Sequence, residues 1–253
     1  MDLTGKNIVV TGAGTGIGRA IAVRLSSDGA KVALVGRREA PLEETREACP
    51  GETFVATADV SDRGAVDAAF DRIVDAFGPL HAVVANAGIG GPNEPGDSDR
   101  WSEVVRTNLD GAYHTIRALE ARLAEGDDAR HAIVISSCLA RFGVPGYTAY
   151  CASKAGVLGM VRAFAHELAD RNVLVNAICP GWVETEMARE GMRKIAEAID
   201  TTYEEARRGA LDLVPLKKIS EPDEIAGLVA FLLSPDARSI TGATLDQNAG
   251  SWM

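Results

Sequence analysis

Apolar and polar positions along the chain alternate between two textures. Short runs rich in Val, Ile and Ala, without polar alternation, occupy residues 6–10, 31–35, 53–58, 81–85, 131–135 and 173–178, with a shorter one at 243–246. Continuous apolar runs of this length suit strands buried on both faces. Between them lie patterns with helical spacing that begin near Gly16, Glu39, Asp62, Arg100 and Tyr147. This rhythm predicts right-handed βαβ crossovers. The expected fold is α/β: a doubly wound, Rossmann-like parallel sheet of about seven strands, helices on both faces, in a single domain over 1–253.

Local punctuation refines the boundaries. Ser61 stands where it could N-cap the helix from Asp62, and Ser220-Glu221-Pro222 could open another with proline in its first turn. Gly78-Pro79 ends the helix before the fourth strand, and Asp97-Ser98-Asp99 reads as a solvated loop ending in an N-cap. The segment 187–213 is helix-like and interrupts the strand–helix rhythm just past a strand end. That placement predicts a lid over a site; a peripheral helix pair is the plainer alternative.

Composition narrows the classes of partner. The chain carries 36 acidic and 26 basic residues, a net charge of −10, which disfavours nucleic acid, because phosphate binding needs clustered Lys and Arg. Apolar residues make up 46%, enough for a large core and too many for a disordered chain. No apolar run approaches the ~20 residues of a membrane helix. The opening MDLTGKNIVVTG lacks the basic and apolar regions of a secretory signal. Cys49, Cys138, Cys151 and Cys179 show no CxxC spacing, and His81, His114, His131 and His166 are scattered. A cytoplasmic protein with free thiols and no metal site is expected.

The first strand runs into Thr11-Gly12-Ala13-Gly14-Thr15-Gly16-Ile17-Gly18, which fits GxxxGxG and not GxGxxG. Glycines there permit a tight turn and close approach to a pyrophosphate, and the helix N-terminus adds free N–H groups and a positive dipole end. Gly12, Thr15, Gly16, Ile17 and Gly18 are therefore candidate cofactor contacts. The second strand ends in Gly36-Arg37-Arg38. A site for NAD usually places Asp or Glu there for the ribose hydroxyls. Gly36 instead leaves room, and the fork of Arg37, with Arg38 beside it, suits a 2′-phosphate. This points to NADP, with NAD as the alternative if both arginines lie in solvent.

Tyr150 and Lys154 are spaced i, i+4, which puts them on one helical face. A phenol is a poor base near neutral pH, and a neighbouring ammonium favours its ionised form, so the pair is a plausible acid/base unit. It follows a buried strand and Ser136-Ser137, which places the serines at the carboxyl edge of the sheet, where open α/β sheets bind ligands.

Together these residues resemble the short-chain dehydrogenase/reductase family, in its single-domain branch, similar to the 3-oxoacyl reductases. TGxxxGxG at 11–18, Asp59-Val60, Asn86-Ala87-Gly88, the Ser…YxxxK set and Pro180-Gly181 follow in the family's order across about residues 3–250. The resemblance implies that Tyr150 exchanges a proton with the substrate oxygen. It implies that Lys154 holds the nicotinamide ribose and lowers the Tyr150 pKa, and that Ser137 hydrogen-bonds the substrate oxygen. Asn108 would link the lysine to a water chain. Asp59 and Val60 would meet the adenine, Asn86 and Gly88 would line the cofactor groove, and Pro180, Gly181, Val183 and Thr185 would surround the nicotinamide. Ser136, by strand alternation, points to the other face. The resemblance also implies a homo-oligomer, commonly a tetramer, with the last strand and the helix before it at the interface.

Leu139, Arg141, Phe142, Tyr147, Trp182 and Met187 stand past strand ends or in connecting loops and are candidate substrate contacts. Their mainly apolar character suits an apolar substrate body, with Arg141 a candidate for a carboxylate or a carrier's phosphate. The expected activity is NADP(H)-dependent interconversion of a ketone, 3-oxoacyl or a related small to medium carbonyl, and a secondary alcohol. An NAD-dependent secondary-alcohol dehydrogenase would use the same residues. A non-catalytic dinucleotide sensor or scaffold on this fold is the rival from another class, and it has no evident need for Asn108, Ser137, Tyr150 and Lys154 together.

Overall fold

In the computed structural model, which describes residues 1–252, seven strands form one wholly parallel sheet. They are β1 (Asn7–Thr11), β2 (Lys31–Gly36), β3 (Thr53–Thr57), β4 (Ala82–Ala85), β5 (Arg130–Ile135), β6 (Val173–Pro180) and β7 (Thr244–Gln247), in the spatial order β3-β2-β1-β4-β5-β6-β7. The chain winds outward from β1 to β3, then returns to lay β4 on the other side of β1. Val10 is thus in register with Leu34 on one side and Val84 on the other. Crossovers leave in opposite directions at this point, and a crevice opens at the carboxyl ends of β1 and β4.

Among the described residues, nine α-helices flank the sheet: α1 (Gly16–Ser27), α2 (Glu39–Ala48), α3 (Arg63–Phe77), α4 (Trp101–Val105), α5 (Gly111–Glu120), α6 (Thr148–Glu167), α7 (Glu186–Ala198), α8 (Tyr203–Asp212) and α9 (Pro222–Leu232). A π turn at Arg106–Asp110 joins α4 to α5. One apolar layer unites Val9, Val83 and Val134 with Phe70 of α3, Ile116 of α5 and Phe164 of α6. The other unites Ile8, Val84 and Ile133 with Ile21 and Leu25 of α1 and Ile225 and Val229 of α9. Alternate residues of each strand feed opposite apolar layers. That is why the strands read as mainly apolar runs rather than as alternating ones.

The punctuation holds with one correction. Asp62, not Ser61, caps α3: its carboxylate accepts the Ala65 N–H at 3.1 Å. Ser61 is drawn away because its hydroxyl and N–H both donate to Asp59 Oδ1, at 2.7 and 2.9 Å. Gly78 ends α3 with φ +84°, Glu221 and Glu224 form a capping box on α9, and Asp99 accepts the Trp101 N–H at 2.8 Å. The segment 187–213 forms α7 and α8. Among the described residues, no helix is long and apolar enough to cross a membrane, and no cluster of His, Cys, Asp or Glu is arranged to hold a metal ion.

Candidate active site

The turn between β1 and α1 is shaped by what lies behind it. The Asn86 side-chain amide donates to Thr11 O at 2.9 Å and Gly12 O at 3.3 Å, and the Asn86 and Ala87 N–H groups both donate to Thr11 Oγ1 at 3.1 Å. Asn86 therefore staples the end of β4 to the end of β1. A Cβ on Gly18 would stand 2.1 Å from Gly12 O and 2.5 Å from Asn86 Nδ2, so the helix start is packed as closely as backbone allows. Ile17 packs inward against the core layer of α1. The turn's free face, Gly12 and Thr15, lines a groove that continues past Gly36, Arg37 and Arg38 to Asp59 and Val60. Gly14 of the same turn also lines it, with Ala58, Ile89 and Thr107, which did not stand out in the sequence because they become a wall only when the ends of β3 and β4 and the π turn are brought alongside.

These residues fit a dinucleotide. The glycine turn offers backbone N–H groups at a helix N-terminus, and no carboxylate ends β2. Asp59 sits at the groove's edge. Burial works to raise its pKa, but the two Ser61 hydrogen bonds and Arg37 hold it below the usual carboxylate range. Arg37 Nη1 lies 4.0 Å from Asp59 Oδ2, with both side chains largely open to solvent, so the guanidinium remains available to an incoming phosphate.

The groove ends at Gly88. A Cβ there would stand 3.1 Å from Asn108 Oδ1 and 3.4 Å from Lys154 Nζ, which joins the phosphate cradle to the catalytic candidates. Asn108 lies buried in the π turn and clips the loop after β4: Oδ1 accepts Ile89 N–H at 2.8 Å, while Nδ2 donates to Ile89 O at 3.0 Å and to Ser153 Oγ at 3.2 Å. Lys154, also buried, donates to Ile135 O at 2.9 Å and lies 5.8 Å from the centre of the Tyr150 ring. Ser136 points away from the groove and donates to Lys154 O at 2.9 Å, locking α6 to the end of β5. Ser137 Oγ accepts the Leu139 N–H at 3.1 Å, which leaves the hydroxyl proton free to point outward.

Burial pushes the Tyr150 phenol up to about 12, opposed by the Ser137 hydroxyl, and burial likewise pushes the Lys154 ammonium down to about 8. The ammonium is turned onto the Ile135 carbonyl, and desolvation is the largest influence on each group.

The expected nicotinamide and substrate residues gather on the far wall. Gly181 is pressed on the Asn248 backbone, 2.9 Å from where its Cβ would be, and Val183 is buried. Thr185 caps α7 and sets its methyl 3.0 Å from where a Cβ on Gly16 would stand, so the starts of α7 and α1 face each other across the groove. Met187 of α7 approaches Gly90, whose Cβ would lie 3.2 Å from its sulfur and 3.9 Å from Tyr150 Cε2. Tyr147 meets Tyr150 edge-on at 6.5 Å. Trp182 packs against Gly191 within α7. Arg141 is not free for a ligand anion; it pairs with Asp246 at 2.8 Å.

This arrangement has close counterparts. A family profile described as Enoyl-(Acyl carrier protein) reductase matches residues 12–251. The 3-oxoacyl-[acyl-carrier-protein] reductase MabA of Mycobacterium tuberculosis is 35% identical over 250 residues, 98% of this chain and 93% of the relative. FabG of Vibrio cholerae, of the same description, is 34% identical over the full length of both chains. Among solved structures, an actinorhodin polyketide ketoreductase with NADPH superposes with a TM-score of 0.89 at 32% identity, covering 97% of each chain. Levodione reductase superposes at 0.88 and 30% identity over 98% of this chain and 97% of the other. This chain shares its fold with those solved structures. The chain belongs to the short-chain dehydrogenase/reductase family. It is an oxidoreductase of the NAD(P)-dependent kind.

Proposed function

We propose that the protein is an NADP(H)-dependent ketoreductase that interconverts a 3-oxoacyl or related small to medium ketone with its secondary alcohol. The observation that carries this reading is a groove with a glycine cradle flanked by Arg37 and Arg38 at one end and Gly88 at the other, where a Cβ would stand 3.4 Å from Lys154 Nζ, itself 5.8 Å from the centre of the Tyr150 ring. The similarity to 3-oxoacyl-[acyl-carrier-protein] reductases and to an NADPH-bound ketoreductase supports both the cofactor and the substrate class.

When bound, NADPH supplies the hydride. The chain's own residues handle position and protons. Ser137 and Tyr150 present two hydroxyl donors to the carbonyl oxygen, where negative charge develops as the carbonyl carbon is reduced. A phenol pushed up to about 12 is protonated at neutral pH, the state needed to give its proton to the forming alkoxide. Lys154 uses one N–H on Ile135 O and keeps its others for the ribose hydroxyls. Arg37 and Arg38 hold the 2′-phosphate, and Asp59 and Val60 flank the adenine. Tyr147, Leu139, Trp182 and Met187 shape the substrate side, and α7 with α8 forms the lid over it.

The test is a parallel titration with NADPH and NADH, for wild type and Arg37→Ala. NADPH is expected to bind at least tenfold more tightly, about 1.4 kcal/mol, and Arg37→Ala to remove most of that margin. An NADH preference in the wild type would overturn the cofactor assignment. Failure of a 3-oxoacyl thioester and of simple ketones to oxidise NADPH would overturn the activity.

A further inference from the structure

Arg141 and Phe142 follow the Ser137 turn, where a substrate contact was expected. Both are engaged by the C-terminal segment instead. The Arg141 guanidinium forks onto Asp246 of β7, with Nη2–Oδ2 at 2.8 Å and Nε–Oδ1 at 3.2 Å. The two side chains are 27% and 29% exposed. The next residue, Phe142, stacks on Trp252 with ring centres 6.0 Å apart and planes 21° from parallel. Between Asp246 and Trp252 the tail is folded back by buried Asn248. Its Nδ2 donates to Trp252 O at 3.3 Å and its Oδ1 accepts the Gly250 N–H at 3.0 Å.

What this clamp grips is the unit that sets Ser137. Residues Cys138–Ala140 form one 3-10 turn. Ser137 caps its start, with Oγ accepting Leu139 N–H and its carbonyl accepting Ala140 N–H at 3.0 Å. Arg141 closes it, donating its own N–H to Cys138 O at 2.9 Å. At a rise of about 2 Å per residue the unit spans only ~8 Å, with little slack between Arg141 and Ser137. On the far side of the pair, Asp246 is in register with Cys179, and Gln247 with Pro180. The pair therefore reaches across the end of β6 and ties the Ser137 turn to β7, the strand paired with the end of β6 that carries Pro180.

We infer that Arg141 and Asp246 are positioning residues: their ion pair, backed by the Phe142–Trp252 stack, holds the Ser137 hydroxyl where it and Tyr150 meet the substrate oxygen. Most exposed ion pairs contribute little. This one is bidentate and joins residues 105 apart in the chain, fixing two segments that no other ion pair among the described residues links. The inference rests on the ketoreductase reading for its kinetic consequence. Its structural consequence, a rigid turn, is independent of that reading.

The test compares wild type, Asp246→Asn, and the exchanged pair Arg141→Asp with Asp246→Arg. Acetoacetyl-CoA and NADPH serve as probes. A misplacement near 1 Å costs up to about 100-fold in rate, so Asp246→Asn is expected to lower kcat by ~10- to 100-fold. KM and the NADPH Kd should stay within about twofold, since uniform binding is untouched. The exchanged pair should recover most of the lost kcat, which a general loss of stability would not produce. Arg141→Lys, which keeps the charge and loses the fork, substitutes if Asp246→Asn does not fold, with a smaller loss of about 3- to 10-fold expected.

The second readout needs no turnover. Cys138 lies in the gripped turn, and burial pushes its thiol up to about 11, so maleimide should label it slowly in the wild type. Labelling mapped by mass spectrometry should accelerate in Asp246→Asn and slow again in the exchanged pair. An Asp246→Asn enzyme with kcat within about twofold of wild type, or with unchanged Cys138 labelling, overturns the inference. A wild type that turns over no ketone overturns the ketoreductase reading instead, and Cys138 labelling then decides the clamp by itself.

Discussion

Adding a single methyl group at Gly18 tests the phosphate cradle most directly. A Cβ there would stand 2.1 Å from the Gly12 carbonyl oxygen, 2.5 Å from Asn86 Nδ2 and 2.8 Å from the Gly12 carbonyl carbon. Two of those atoms are backbone and the third is held by hydrogen bonds to Thr11 O and Gly12 O, so none can swing aside. Ordinary contact requires the start of α1 and the Gly12 turn to separate by more than 1 Å. Overpacking of this kind costs about 1–3 kcal/mol. Loss of the two Asn86 hydrogen bonds adds about 1 kcal/mol each. Alanine's better helix propensity returns up to ~1 kcal/mol. The net expectation for Gly18→Ala is a destabilisation of about 2–4 kcal/mol. At ~2–4 °C per kcal/mol for a chain of this size, Tm should fall by roughly 4–15 °C. NADPH affinity should fall by at least ~30-fold, because the N–H groups that face the pyrophosphate move apart. Thermal melting with and without NADPH, and fluorescence titration of the cofactor, measure both. A Gly18→Ala protein that melts within about 2 °C of wild type and binds NADPH equally well would refute the packing argument.

Other expectations follow from the same geometry. Tyr150→Phe removes the proton donor and should lower kcat by ~10²- to 10⁴-fold, with NADPH affinity largely retained; single-turnover kinetics with ordinary turnover would contradict the assigned role. His131, at the start of β5, is buried with its Nδ1 unpartnered, and burial, with Lys6, holds its pKa down to about 4. The folded state therefore refuses a proton that the unfolded chain accepts near its ordinary value of about 6.5. Stability should be full above pH ~6.5 and fall as the pH drops toward 4, by up to about 3 kcal/mol. Urea unfolding across that window should show the slope in wild type and a flatter one in His131→Leu; identical slopes would exclude His131 as the source. Asn108→Ala removes three hydrogen bonds that clip the loop after β4 and should cost about 2–3 kcal/mol, with hydrogen exchange at Ile89 as the local measure; unchanged exchange there would show that the loop is held by other contacts.

Much of this protein was legible before any fold was known. The apolar runs located every strand to within about two residues, because strands buried on both faces are mostly apolar along their length. The glycine spacing after β1 marked a cradle, and the i, i+4 step of Tyr150 and Lys154 needed only helical periodicity. The roles given to Ser137 and Asn108 came from family resemblance, since nothing in their spacing alone distinguishes them. Ala58 and Thr107 gave no signal, for they are ordinary residues that become a groove wall only by juxtaposition.

What the sequence by itself determined was local: which segments are strands or helices, where they stop, and which short motifs carry chemistry. These depend on hydrogen bonds and side-chain periodicities within one or two turns of chain. What the tertiary structure decided was everything that depends on strand order and burial. Arg141 looked like a ligand for an anion until β7 brought Asp246 beside it. Ser61 looked like a helix cap until the fold of the β3 end turned it onto Asp59. Burial pushes the Tyr150 phenol up to about 12, an effect that the i, i+4 spacing with Lys154 does not carry. A desolvation penalty or an ion pair between residues 105 apart has no signature along the chain; it exists only once the sheet has set which ends lie together and which atoms have lost their water.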